Sequence, residues 1–466
     1  MQSDKERVLE QLEVSFSTYV ADILTAIRQP SISKTGEGLA EMADWLCRYL
    51  EDLGAEVEHS PGQVAPIIYG HLGAAKAEKT LLFYELYDVQ PAAEPGWSVP
   101  PFAAEIVPDG SGQHRIVGRG AFNSKGPLVG FLGVLKAFRD AGVPLPVNLR
   151  FLIEGEEEIG SPSLEPFIRE NLAFLRDCNA AFIPYFSTNS RGQTIIRLGF
   201  KGLVMLELSV EGGDWGGPVQ RDVHAMHSAW LQSPAWELLQ ALTSLQTESG
   251  RLSVDGLDKV SAGPSEHDRT LIADLALGFD RETWLEELGA HRFKYDAEPE
   301  DLLTHLMFDP TLNIDAIDVG AVEPGEDPPT VIPHRARAYL DLRPTPGMDP
   351  AEVVRLVREH LDRRGFGHVQ MDVKTAYPAA KVDVDQAVVQ SLLEACREQT
   401  DDLVVYPLHA GAAPLHLFSE VVGIPFAFGG VGRGGRSHSP NEYIYLEDLR
   451  PFYRSMVSFL FEFGKG

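Results

Sequence analysis

The chain has 466 residues, of which 44% are hydrophobic and 23% are charged, and its formal net charge is −28. This length and composition are typical of a globular protein with two or more domains. The negative charge argues against nucleic acid and anionic membranes as partners, because both require basic patches. The sequence has no hydrophobic run long enough to span a bilayer, and its polar first seven residues do not resemble a signal peptide.

The three cysteines are Cys47, Cys178 and Cys396, an odd number spread widely over the chain. Cys47 and Cys396 fall within helical patterns, which predicts buried thiols. We therefore expect a protein of the reducing cytoplasm.

Up to about residue 199 the sequence predicts helices that alternate with strands. The predicted elements are helices at 5–27, at 38–53 and around Leu128–Phe138, and strands at 80–84, 151–153 and 180–183. This alternation favours an α/β layer with a largely parallel sheet.

Beyond residue 199 the pattern becomes that of a smaller α+β region. Its predicted elements are strands at 203–210, 336–342 and 368–373, and helices that begin at Ser233-Pro234 and at Asp349-Pro350. The α/β pattern resumes near residue 378, with a helix from Asp385 and an apolar terminal helix. We therefore predict a first domain of residues 1–199 and 378–466, into which a second domain of residues 200–377 is inserted.

Residues 151–161 place four glutamates, Glu154, Glu156, Glu157 and Glu158, directly after a buried strand. Four carboxylates within five residues repel one another, so metal ions, cationic side chains or bound protons must offset their charge. A solvated acidic turn is the alternative interpretation, because most short acidic runs are of that kind. The apolar strand before the glutamates and the small residues after them favour a functional site.

Four motifs follow one another along the chain: Tyr84–Pro91, Gly118–Gly126, Glu154–Ser161 and His438–Glu442. Together they resemble motifs of the two-zinc exopeptidase and deacylase family that includes carnosinases, acetylornithine deacetylase, succinyl-diaminopimelate desuccinylase and carboxypeptidase G. The carnosinase-like branch looks most similar, and the resemblance extends over nearly the whole chain. It implies an α/β fold: a zinc-exopeptidase-like, mixed-sheet catalytic domain with an inserted α+β lid through which the protein forms a homodimer.

The resemblance also implies two zinc ions bridged by an aspartate, and this sequence departs from that pattern. Asn123 replaces the bridging aspartate, while Leu86 and Tyr185 replace the histidine and aspartate of the second zinc. Leu86 has no lone pair, Asn123 offers a neutral oxygen, and the phenol of Tyr185 has an ordinary pKa of about 10. We therefore expect no metal pair; a single zinc held by Glu158 and His438 is the alternative.

The three replacements are consistent with one another. Removing two dications while keeping every carboxylate would leave uncompensated negative charge in the pocket. Asn123 and Tyr185 remove two of those charges, and Leu86 fills the volume of the histidine. The sequence therefore predicts a pocket rebuilt without metal.

Other positions match functional residues of the family. By the resemblance, Glu157 is the general base and Asp88 orients the histidine that is lost here. His224 would reach across the dimer to polarise the scissile carbonyl. Thr330 and Arg343 would hold the carboxylate of the substrate, a role that suits a bidentate guanidinium.

Two further departures concern the substrate. The loop Ala410–Pro414 lacks the serine of the family's glycine-rich loop, and His409 stands where the carnosinase-like branch has a glutamate that receives an ammonium group. We therefore expect a free cationic amino terminus to be a poorer ligand here than in the relatives.

Three functions agree with these residues. The first is metal-free acid–base chemistry on an amino-acid-like or amide substrate, with Glu157 as the base and Tyr185, His224 or His438 as its partner. The second is a one-zinc amidohydrolase or dipeptidase, and the third is a ligand-binding protein without catalysis. The sequence does not predict which substrate is bound.

Overall fold

The computed structural model describes residues 2–320, 327 and 329–465. The α-helices of these residues are α1 (Asp4–Val14), α2 (Phe16–Arg28), α3 (Leu39–Asp52), α4 (Lys125–Asp140), α5 (Leu164–Glu170), α6 (Leu172–Leu175), α7 (Pro234–Ser244), α8 (Glu266–Leu277), α9 (Arg281–Glu287), α10 (Pro299–Phe308), α11 (Pro350–Arg363), α12 (Ala387–Arg397) and α13 (Leu449–Gly464). Within this part of the chain, no helix combines the length and the apolar character that crossing a bilayer requires.

The strands of the described residues are β1 (Glu56–Ser60), β2 (Ile67–Leu72), β3 (Thr80–Leu86), β4 (Glu105–Pro108), β5 (His114–Val117), β6 (Asn148–Glu154), β7 (Ala180–Pro184), β8 (Thr194–Arg197), β9 (Gly199–Lys201), β10 (Leu203–Glu211), β11 (Val223–His224), β12 (Thr311–Asp318), β13 (Val331–Ile332), β14 (Arg335–Arg343), β15 (Gln370–Tyr377), β16 (Ala380–Lys381), β17 (Leu403–Tyr406), β18 (His409–Ala412), β19 (Phe426–Gly429), β20 (Gly434–Gly435) and β21 (Tyr443–Tyr445).

Contacts between residues in space divide the chain into two compact units. The first unit comprises Met1–Leu198, Val382–Tyr406 and Leu417–Gly466, and the second comprises Gly199–Lys381 and Pro407–His416. Residues 407–416 belong to the second unit because β18 pairs with β9. This segment was predicted to belong to the first domain, because chain order alone gives no sign of that pairing.

The first unit is built on an eight-stranded sheet with the order β1-β2-β6-β3-β7-β19-β8-β17. Parallel pairing joins β6, β3, β7 and β19, and antiparallel pairing joins β1 to β2, β2 to β6 and β19 to β8. Strands β3 and β7 are buried almost throughout, as expected for parallel strands covered on both faces. The α/β class is confirmed, with a mixed sheet.

The second unit carries a four-stranded antiparallel sheet with the order β12-β14-β10-β15. Along β10 the residues alternate between buried and partly exposed, which confirms the half-exposed strand predicted there. The buried side chains of β10 and β14 form a core with α7 and α11. The edge strands β12 and β15 are mostly exposed.

Two local predictions were wrong. The helix predicted for residues 5–27 is interrupted at Ser15, whose hydroxyl accepts a hydrogen bond from Gln11 Nε2 at 2.8 Å. The backbone of Ser15 leaves the helical conformation, with φ −104° and ψ 15°. Cys396 is buried as predicted, and Cys178 is buried as well. Cys47 is only partly buried, because α3 turns one face toward solvent.

Candidate active site

The parallel strands of the first unit end at one edge of the sheet, and the predicted residues follow those ends. Leu86 at the end of β3 is in register with Glu154 at the end of β6. The N–H of Tyr87 then donates to the Glu154 carbonyl at 2.8 Å. Tyr185 follows β7 and donates its N–H to the Gly429 carbonyl of β19 at 3.3 Å. Sites of α/β proteins commonly lie at the carboxyl ends of parallel strands.

The carboxylate of Glu158 is the centre of a hydrogen-bonded group. Asn123 Nδ2 donates to its Oε1 at 2.7 Å, and Gln90 Nε2 donates to its Oε2 at 2.9 Å. His438 Nε2 lies 3.1 Å from Oε1 and 3.0 Å from Oε2. This hydrogen bond raises the pKa of His438. The Glu158 side chain is only 3% exposed, so these three groups take the place of solvent around the charge.

Asp88 fixes the turn that carries the glutamates. Its two carboxylate oxygens accept the backbone N–H groups of Glu157 at 3.2 Å and Glu158 at 3.0 Å. Burial raises the pKa of Asp88 to about 6. By the resemblance, Asp88 would orient a histidine that this chain lacks. In this structure Asp88 instead accepts hydrogen bonds from the turn that carries Glu157 and Glu158.

Glu157 lies next to this group, on a short 3₁₀ turn. Burial and the charges of Glu158 and Asp88 raise its pKa well above the ordinary value. A carboxyl group with a raised pKa is a stronger base than an ordinary glutamate. Glu157 is therefore a stronger base than a solvent-exposed glutamate once it is ionised.

Glu154 and Glu156 are each 1% exposed, so the alternative of a solvated acidic turn was wrong. Glu156 Oε1 accepts the backbone N–H groups of Val64 and Ala65 at 2.5 and 2.9 Å. Glu154 Oε1 accepts from the Tyr84 hydroxyl at 2.5 Å. Burial raises the pKa of Glu154 to about 8. Hydrogen bonds and retained protons therefore offset the negative charge of the carboxylates in residues 154–158.

The raised pKa of Glu154 makes stability depend on pH. The folded pKa of about 8 exceeds the ordinary 4.5, so between these values the folded chain binds more protons than the unfolded chain. The free energy of unfolding should therefore fall as pH rises, by up to about 1.4 kcal/mol per pH unit from this group. Glu154→Gln keeps the acceptor and stays neutral, so thermal unfolding measured from pH 5 to 8 should show a flatter profile. Profiles of equal slope in parent and variant would contradict this assignment.

A buried ion pair holds the loop that carries Asn123. Arg119 Nη1 donates to Glu442 Oε2 at 3.0 Å, and both side chains are at most 2% exposed. The other oxygen of Glu442 accepts the N–H groups of Phe122 and Asn123 at 3.0 and 2.8 Å. The loop before α4 and the loop after His438 are thereby joined.

Tyr185 and Leu86 stand where the resemblance places ligands of the second zinc. The ring of Tyr185 packs against Phe122 and Phe428, with centroid distances of 4.8 and 5.2 Å. Burial raises the pKa of Tyr185 further above its ordinary value, so the phenol stays protonated. Leu86 is 8% exposed and brings no donor atom.

His224 and Thr330 lie together within the second unit. Strand β11 pairs His224 with Val331, and the N–H of Ala225 donates to the Thr330 carbonyl at 3.0 Å. The exposed imidazole of His224 accepts the N–H of Met226 through Nδ1 at 3.1 Å.

Arg343 ends β14 in the same unit and already has protein partners. Its Nε and Nη2 donate to the carboxylate of Asp341, at distances from 2.8 to 3.2 Å. Its Nη1 donates to the Ala410 carbonyl at 3.1 Å, next to His409, whose Nδ1 accepts the N–H of Gly411 at 3.0 Å. The hydrogen bonds to Asp341 raise the pKa of Arg343, so the guanidinium stays charged.

Three residues of this region, Gln90, Glu85 and Arg197, were not predicted to be functional. Gln90 was visible within the Tyr84–Pro91 motif, and Glu85 stands where the resembling motif has glycine. Burial raises the pKa of Glu85 well above its ordinary value. Arg197 belongs to no motif, and only the sheet order places it near Tyr185.

Comparison with known proteins identifies the family of this chain. The model of the peptidase family M20/M25/M40 matches residues 82–462. The Cys-Gly metallodipeptidase of Schizosaccharomyces pombe is 30% identical over 78% of this chain and 76% of its own length. The β-Ala-His dipeptidase of Rattus norvegicus is 32% identical over 67% of this chain and 61% of its own length.

Solved structures of this family have the same fold. An M20 family metallo-carboxypeptidase from Sulfolobus solfataricus superimposes with a TM-score of 0.87 and 31% identity, covering 96% of this chain and 99% of that protein. Human carnosine dipeptidase 1 gives a TM-score of 0.79 at 24% identity, covering 99% of this chain and 100% of that one, a likeness of fold. The chain belongs to the M20/M25/M40 peptidase family, as the motifs predict.

Proposed function

We propose that this protein hydrolyses a dipeptide-like amide that bears a free carboxylate, and that it does so with its own acid–base groups instead of a metal pair. The observation that carries the proposal is the environment of Glu158. Its carboxylate is bonded directly by Gln90, Asn123 and His438. The dipeptide-like substrate class is suggested by the relatives, several of which are dipeptidases.

The donor set does not fit two zinc ions. Catalytic zinc takes imidazole, carboxylate or thiolate ligands, and Leu86, Asn123 and Tyr185 supply none of these. Asn123 also directs its amide nitrogen, a donor, toward Glu158. We therefore assign the reaction to protein groups alone.

In the proposed reaction Glu157 accepts a proton from water as the water oxygen bonds to the amide carbon. The C=O electron pair moves to the carbonyl oxygen, which becomes negatively charged. Glu157 then gives its proton to the amide nitrogen as the C–N bond breaks, and the products are an amine and a carboxylic acid, whose proton passes to the amine to leave an ammonium and a carboxylate. Tyr185 and His438 are the acid–base partners that we propose for Glu157 within the first unit. The further role of His224 stays a prediction from the resemblance.

Metal content tests the proposal directly. Protein purified after zinc-supplemented expression should contain no stoichiometric zinc by elemental analysis, because three of the ligand positions are changed. A value near two per chain would contradict the metal-free assignment.

A second candidate, a one-zinc amidohydrolase, is favoured by one observation. The Glu158 and His438 side chains face each other at 3.0 Å, and both are residue types that bind zinc. About one zinc per chain in the same analysis would support this candidate. Binding of dipeptides such as Cys-Gly or β-Ala-His without any turnover would instead support a ligand-binding protein.

We also propose that the second unit forms a homodimer. Its edge strands expose apolar side chains, including Ile314, Ile317 and Val373, which are 40–44% exposed. Exposed sheet edges need covering, and a second copy of the same edge is a self-complementary cover. Light scattering at micromolar concentration should give the mass of a dimer, and Ile317→Lys should shift it toward the monomer. A monomeric parent protein would contradict the prediction.

A further inference from the structure

Arg197 ends β8 in the first unit, and its guanidinium has no carboxylate partner among the described residues. Its hydrogen bonds in this part of the chain are two long ones from Nη1, of 3.5 Å to Ser187 Oγ and 3.5 Å to the Ile195 carbonyl. Its Nε and Nη2 donate to no acceptor of the described chain, and the residue is partly exposed. A guanidinium has five N–H donors, so most of them are open to a ligand.

Other arginines of the first unit differ from Arg197 in this respect. Arg119 is paired with Glu442 and Glu94. Arg433 donates to both oxygens of Asp448 at 2.7 Å. Burial lowers the pKa of Arg197, which reflects the cost of an uncompensated charge. An anion would offset that cost.

Strand β19 places Arg197 beside Tyr185. The backbone of Phe428 pairs with Arg197, and the Phe428 ring packs on the Tyr185 ring at 5.2 Å. The charge of Arg197 acts on Tyr185 to lower its pKa, against the larger effect of burial. The Tyr185 hydroxyl also bonds the side chain of Ser437, the residue before His438. The guanidinium and the phenol therefore lie side by side, and the Tyr185 ring packs on Phe122, the residue before Asn123.

We propose that Arg197 and the Tyr185 hydroxyl form an oxyanion-binding pair that receives the charged carbonyl oxygen of the substrate when the amide carbon becomes tetrahedral. This inference rests on the proposed function, because it names the groups that stabilise the charge created when Glu157 takes a proton from water. Neither group changes its protonation state in that step. A guanidinium contributes two parallel N–H donors and a fixed positive charge, and the phenol contributes one O–H donor.

Two probes separate the oxyanion from an ordinary carboxylate. The phosphinic analogue of Ala-Ala carries a tetrahedral anion at the position of the amide carbon, whereas Ala-Ala itself carries only its terminal carboxylate. Calorimetric titration would be carried out after dialysis against chelator, with the parent, Arg197→Gln, Arg197→Lys and Tyr185→Phe. Arg150→Gln is the matched control, since Arg150 lies on β6 of the same sheet and is paired with Asp177 at 3.4 Å. Thermal unfolding checks that each variant is folded.

The parent should bind the phosphinate without metal, and Arg197→Gln should weaken that binding by about 100-fold, the effect typical of removing one oxyanion donor. Tyr185→Phe should weaken phosphinate binding by about tenfold. The affinity of Arg197→Lys should fall between those of the parent and Arg197→Gln, because lysine keeps the positive charge but not the bidentate donor geometry. Binding of Ala-Ala should change by no more than about twofold. The Arg150→Gln control should match the parent with both probes.

Other outcomes would overturn the inference in distinguishable ways. An equal loss for Ala-Ala and the phosphinate would assign the pair to the substrate carboxylate instead. Metal-free phosphinate binding that Arg197→Gln leaves unchanged, or no phosphinate binding at all, would refute the pair while leaving the role of Glu157 intact. Phosphinate binding that appears only with added zinc would refute the proposed function itself.

Discussion

Glu157→Gln should abolish turnover while leaving substrate binding largely intact. Glutamine keeps the shape and the hydrogen-bonding capacity of Glu157 but cannot accept a proton from water. Because burial and the charge of Glu158 raise the pKa of Glu157, the parent's rate should rise with pH as this carboxyl loses its proton. Loss of a general base typically lowers the rate by about 100- to 10,000-fold. Steady-state kinetics on a dipeptide panel, with kcat and KM reported separately, measures this.

The neighbouring Glu156→Gln variant is the control. Glu156 is bound to the backbone N–H groups of Val64 and Ala65, so its loss should lower the melting temperature but not the rate per folded molecule. Chelator should leave the parent's activity unchanged. An active Glu157→Gln variant, or a parent inactivated by chelator, would contradict the metal-free mechanism.

Arg343→Ala should weaken substrate binding by about 2–5 kcal/mol, the cost of removing one partner of a buried charge pair. The prediction follows from the resemblance, which assigns Arg343 to the carboxylate of the substrate. Its bonds to Asp341 and to the Ala410 carbonyl hold the guanidinium in place. Calorimetric binding of a dipeptide and of its carboxamide tests the assignment. Only the affinity for the dipeptide with its free carboxylate should depend on Arg343.

Arg337→Ala is the matched control for Arg343→Ala. Both arginines lie on β14 with similar exposure, 31% and 33%, and Arg337 is likewise paired with an aspartate, Asp318, at 3.4 Å. The control should retain the parent's affinity. Equal affinity of the Arg343→Ala variant and the parent for the dipeptide would mean that the family's mode of carboxylate binding is absent here.

The chemical character of the site was determined by the sequence alone. The identities of Leu86, Asn123 and Tyr185 follow from the motif order, and no fold can give leucine a lone pair or asparagine a negative charge. The strand leading into the four glutamates and the alternation of β10 were also predictable, because burial patterns with a period of two are local. These features require only neighbouring residues.

The partner of each polar group was decided only by the tertiary structure. Glu158 meets Asn123 from 35 residues away and His438 from 280 residues away. The order of strands in the sheet brings these residues together, and local sequence propensity does not predict that order. The same holds for Arg197, which reaches Tyr185 only because β19 lies between β7 and β8. Hydrogen bonds and charges act over a few ångströms in space, so the residues that offset the glutamates became known only when the strand order was known.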